Sequence, residues 1–110
     1  MAIVAIGAMR LDVQSQLVHF QKHTADALKE ALAAPGCLHA DASQDGKLLL
    51  SLSVWADEAS LQTYITSPAH AYAMRRLPRY GASLGFVKYH SDDIPTWDEA
   101  MTAWRNASPE

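Results

Sequence analysis

Leu48, Leu50, Leu52 and Val54 alternate with Leu49, Ser51, Ser53 and Trp55, the period-two pattern of a strand with unlike faces. The first set is aliphatic and calls for a dry partner. The second carries two hydroxyls and an indole and suits a half-polar cavity. Ile3 to Leu11 predicts an earlier buried strand, rich in Ile, Val and Ala. Cys37 to Ser43 predicts another, with Leu38, Ala40 and Ala42 on one face and Cys37, His39, Asp41 and Ser43 on the other. Gln44-Asp45-Gly46 reads as a hairpin turn into the strand that ends at Trp55. Same-face side chains of adjacent antiparallel strands lie close, so His39 and Asp41 are expected beside Ser51, Ser53 and Trp55. Ala82 to His90 predicts the last strand, with Leu84, Phe86 and Lys88 against Gly85, Val87 and Tyr89.

Between the strands the period changes to that of a helix. Leu17, Phe20, Thr24, Leu28 and Ala31 form one face of a helix over Gln14 to Ala34. Asp12 or Ser15 caps it, and Pro35-Gly36 ends it. His19 and His23 fall off that stripe and read as solvated. Asp57 is placed to cap a helix over Glu58 to Thr66. Ser67-Pro68 opens a further one, over Ala69 to Leu77, which Pro78 stops. Thr96-Trp97-Asp98-Glu99 has the spacing of a capping box, and Trp97, Met101 and Trp104 share one side of the helix it starts. That apolar stripe packs on the body of its own chain or reaches across a second copy. The β-α-β-β-α-β order is that of a ferredoxin-like α+β fold with a four-stranded antiparallel sheet and an extra C-terminal helix. Residues 1–90 are expected to form the domain, and 91–110 its extension.

Composition narrows the function classes. A chain of 110 residues makes one domain with a modest core. The net charge of −3 and the lack of a basic run argue against nucleic acid. One cysteine, Cys37, excludes an internal disulfide and fits a reducing compartment. The apolar N-terminus soon meets Arg10 and Asp12 and reads as a strand, not a signal peptide. No run approaches membrane-spanning length, so a cytoplasmic protein is expected. No phosphate loop, dinucleotide fingerprint or nucleophile elbow occurs. The five histidines lack zinc spacing, so no metal site is expected.

Val54-Trp55, Asp57-Glu58, Leu61 and Ser67-Pro68-Ala69-His70, with Pro35-Gly36-Cys37-Leu38 upstream, resemble the signature of the antibiotic biosynthesis monooxygenase-like family of dimeric α+β barrels. The resemblance spans roughly residues 3 to 90. It implies that the Trp55 side of the sheet faces the helices and encloses a pocket. The other side would then expose Leu48, Leu50, Leu52 and Val54, with Leu38 beside them, as an apolar patch on which two copies meet. A homodimer follows from that resemblance.

The family's cofactor-independent enzymes oxidise polycyclic phenols with molecular oxygen, using an Asn and a Trp on strand three, a Tyr and an Arg. Trp55 matches the Trp, and Ser51 stands in the place of the Asn. Tyr64 follows about one turn after the position of the Tyr, and Arg75 lies near that of the cation. The heme-degrading members need an Asn, an aromatic and an axial His. Gly7, Tyr64 and Met74 fall near those places, with His70 a turn before Met74. The leading expectation is a cofactor-independent monooxygenase acting on a small aromatic or polyketide-like molecule. Trp55 and Leu49 hold the ring, Ser51 and Tyr64 orient its oxygen, Arg75 supplies charge, and His39 or His70 takes the proton. The alternatives are a barrel protein that binds a hydrophobic metabolite without turnover, and a heme protein.

Overall fold

The computed structural model describes residues 2–13 and 16–107. Its elements run β1 (Ala2–Leu11), α1 (Leu17–Ala33), β2 (Cys37–Asp45), β3 (Leu48–Trp55), α2 (Glu58–Ile65), α3 (Pro68–Arg76), a 3₁₀ turn (Leu77–Arg79), β4 (Gly81–Ser91) and α4 (Trp97–Asn106). The strands form one antiparallel sheet in the order β2-β3-β1-β4. This is the ferredoxin-like α+β fold, with β2 and β4 at the edges. Gln14 and Ser15, expected to open the first helix, lie outside the described residues, as do 108–110 at the end of the tail.

Local signals set the helix starts. The Asp57 carboxylate accepts from the Ser60 N–H at 2.8 Å, and Ser67 Oγ accepts from the His70 N–H at 3.2 Å. At α4, Thr96 Oγ1 accepts from the Glu99 N–H while Glu99 accepts from the Thr96 N–H, a complete capping box. Gly36, at φ +83°, turns the chain from α1 into β2; a Cβ there would lie 2.2 Å from Ser60 Oγ.

The two sheet faces are occupied differently. Val4, Ile6, Ala8, Leu50, Leu52 and Val54 point to one side and pack under α4 through Ala100, with Trp97, Met101 and Trp104 around it. Every one of those six strand residues is buried within a single chain. The expected apolar patch is therefore not exposed, because the tail helix covers it. Leu38 alone of the expected patch stands open, 55% exposed. The other side, carrying Ile3, Leu11, Leu49 and Trp55, faces α1, α2 and α3.

Strand β2 departs from simple alternation. Cys37 pairs with Trp55 but His39 pairs with Val54, so a bulge inserts one residue between them. An extra residue inverts every side chain beyond it. Ala40 and Ala42 thus stand beside Ser53 and Ser51, on the helix-facing side, while His39 and Asp41 stand beside Val54 and Leu52. The expectation that His39 and Asp41 share a surface with Ser51, Ser53 and Trp55 is corrected. Asp41 confirms its direction by accepting from Trp97 Nε1 of α4 at 3.0 Å.

Candidate functional site

Small side chains hollow out the helix-facing side of the sheet. Strand pairing sets Ala42, Ser51, Gly7 and Phe86 side by side in one row, and Ala40, Ser53, Ala5 and Lys88 in the next. Alanine, glycine and serine cannot reach the helices above, so a cavity of about 440 Å³ remains between them. Gly7 is needed for this floor: a Cβ there would lie 2.9 Å from Ser51 Oγ. The helices keep the roof low with Ala27, Ala31 and Ala73 and add Leu28 and Leu61 to the walls. The volume lies in the range of small-molecule sites, on the order of 300–1,000 Å³.

A column of rings runs from the core into this cavity. Trp55 is fully buried at its base, its Nε1 donating to Ser53 Oγ at 2.9 Å. Tyr64 stacks on Trp55 with centroids 5.0 Å apart. His70 meets the Tyr64 ring edge-on at 5.2 Å. Burial pushes the Tyr64 phenol above its ordinary value, and the nearby Glu30 and Cys37 push it the same way. Burial lowers the His70 pKa from its ordinary 6.5, against a smaller opposing pull from the Ile65 carbonyl. Burial thus disfavours the charged ring, which leaves an imidazole nitrogen as a candidate proton acceptor.

His23, on α1, lines the same cavity. Burial lowers its pKa too, helped by the positive charge of Arg76 and opposed by Asp26 and the Ala73 carbonyl. No lysine or arginine side chain lines the cavity among the described residues. Asp41 borders it, yet its carboxylate is engaged by the Ala42 N–H and by Trp97, on the far side of the sheet. The interior is therefore apolar, with hydroxyls and the two imidazoles as its polar groups.

Of the residues singled out by sequence, Ser51, Tyr64 and His70 meet in this cavity. Trp55 does not touch it and instead backs Tyr64. Leu49 sits in a neighbouring cluster with Leu11, Phe20, Leu77 and Tyr80. Arg75 is exposed to solvent, and His39 is on the opposite sheet face. His23, which lies off the apolar stripe and is expected to be solvated, is half-buried. The signal for it lay one turn away: Ala27 and Ala31, at i+4 and i+8, mark a helix side with room beneath it.

Among the described residues, no three His, Cys, Asp or Glu side chains come together as a metal site. For a heme, His70 and Met74 share one wall, but among the described residues no lysine or arginine lines the cavity to meet the propionates. The donor set does not fit that group.

Solved structures of other proteins share this fold. SnoaB, a cofactor-independent oxygenase from Streptomyces nogalater, is 11% identical and matches 86% of this chain and 98% of its own, with a TM-score of 0.73. Rv0793 from Mycobacterium tuberculosis is 11% identical over 87% of this chain and 100% of its own, at 0.75. A conserved protein from Methanosarcina mazei Go1 is 20% identical over 84% and 94%, at 0.74. No curated protein matches the chain significantly. The family model for antibiotic biosynthesis monooxygenases matches residues 6–76, a span that takes in Gly7, Ser51, the ring column and His23, and the chain belongs to that family.

Proposed function

We propose that the cavity binds a small hydroxylated aromatic and oxidises it with molecular oxygen, without a metal or organic cofactor. The observation that carries this reading is the His70 ring at the wall of an apolar chamber, edge-on to the Tyr64 phenol. Family membership and the likeness to a cofactor-independent oxygenase support it.

His70 takes the proton of the bound phenol, and Ser51 and Tyr64 orient the oxygen that loses it. Their hydroxyls donate to the developing phenolate, which pushes electron density onto the ring. The electron-rich ring carbon beside the one bearing the oxygen bonds to dioxygen, and the peroxide takes back the proton held by His70. The resulting hydroperoxide loses water as its C–H proton leaves, giving a quinone. For a naphthol the balance is one naphthol and one dioxygen to one naphthoquinone and one water. The apolar walls keep bulk water from the anion. In this scheme Trp55 acts through Tyr64, whose ring it holds, and His39 has no part.

Pairing of two copies, implied by the family resemblance, would occur over α4 or by displacing it, since α4 already covers the sheet's aliphatic face. Light scattering on the full chain reports the mass directly.

The test of the function is an oxygen electrode with 1-naphthol and metal-free protein. One dioxygen consumed per naphthoquinone formed supports the reading. Saturable naphthol binding without oxygen uptake replaces it with a binding protein.

A further inference from the structure

We infer that the ligand of this cavity carries an apolar substituent opposite its hydroxyl, and that this substituent leaves the cavity between Met74 of α3 and Phe86 of β4. The inference rests on the reading of the site as an aromatic-binding pocket and adds to it the shape of the molecule bound.

One row of residues crosses the cavity floor from β3 to β4. Ser51, Gly7 and Phe86 occupy neighbouring strands at one level, so Ser51 and Phe86 stand two strand spacings apart, roughly 10 Å. Gly7 leaves an open trough between them. The Ser51 end lies toward the interior of the sheet, where the hydroxyls of Ser51 and Ser53 sit. The Phe86 end lies on the edge strand. The floor therefore runs from oxygen to aromatic, and a ligand on it is oriented hydroxyl inward.

The outer end is open and apolar apart from Ser83, whose hydroxyl accepts from the Gly85 N–H at 3.2 Å. Phe86 and Met74 both line the cavity, yet 39% and 44% of their surfaces face solvent. Phe86 owes its position to a bulge. Ser83 pairs with Met9 and Phe86 with Gly7, so Leu84 and Gly85 together oppose Ala8. Gly85 takes φ +96° there, a conformation that favours glycine. Counting in twos from Ser83 would send Phe86 to the other face; the extra residue returns it to the cavity. Two large apolar side chains at the edge of an apolar chamber fit a hydrocarbon group passing between them.

The experiment is a binding series of 1-naphthol and its 4-methyl, 4-propyl and 4-hexyl derivatives, titrated under argon into the full chain. Affinity is expected to rise about twofold per methylene through propyl, half the gain of complete burial, and then level off. Phe86→Ser and Met74→Ser are expected to flatten that rise, judged against each variant's own naphthol affinity. Leu84→Ser, exposed on the same strand but outside the cavity, keeps it. A flat series in the unmodified protein, or a rise that survives both substitutions, overturns the inference. If naphthol binds and consumes oxygen while the series is flat, only the inference fails. If no member binds, the site reading fails with it.

Discussion

The two faces of the sheet are drawn from alternate residues of the same strands, yet they do opposite things. Beneath α4, Ile6, Leu50, Leu52 and Val54 fill their space and leave the surface dry. Beneath α1 to α3, Gly7, Ala5, Ser51 and Ser53 leave space unfilled. Stability is concentrated where side chains are large, and binding where they are small. In the middle rows of the sheet, packing and cavity are separated by one step along the strand.

The strongest way to break this contrast is to hollow the filled face. Leu52→Ala removes a buried side chain and is expected to cost about 3 kcal/mol in urea unfolding. Ser51→Ala, one residue away, is expected to change stability far less. Equal costs would mean the faces are not distinct. The converse is to fill the hollow face. Gly7→Ala forces only the Ser51 hydroxyl to move, so the fold should hold while naphthol affinity drops about tenfold, as one methyl in a pocket commonly does. Titration calorimetry beside a thermal melt separates the two effects.

A smaller effect is expected where α4 is pinned. Trp97→Phe keeps the apolar contact but removes the donor to Asp41, and should cost about 1 kcal/mol. The pH dependence is expected to be the gentlest. His23 and His70 both have folded pKa values below their ordinary 6.5. Below that value the unfolded chain binds the protons more readily, so stability is full above it and falls as the solution is acidified. His23→Gln and His70→Gln together should flatten the fall seen by chemical denaturation.

Most of the fold was legible because its signals are local. Asp57, Ser67-Pro68 and Thr96 with Glu99 each start a helix through hydrogen bonds spanning three residues. The alternation of β3 announced two unlike faces. The site was less legible because it depends on register. Nothing in Cys37-Leu38-His39 marks the bulge that turns His39 and Asp41 away. Trp55 was read as a wall residue because periodicity gives a face but not a depth, and Tyr64 lies in front of it. Arg75 shows the same limit on a helix: a position along α3 does not fix where its side chain goes, and it is exposed. The tail helix was readable as amphipathic, while its seat on its own sheet depended on contacts distant in sequence.

The most direct test of the account compares two histidine variants on the oxygen electrode, His70→Ala and His39→Ala, with 1-naphthol as substrate. The account predicts a loss of about a hundredfold in kcat/KM for His70→Ala and an unchanged rate for His39→Ala. A rate that collapses with His39→Ala and survives His70→Ala would contradict it, moving the chemistry to the other face of the sheet.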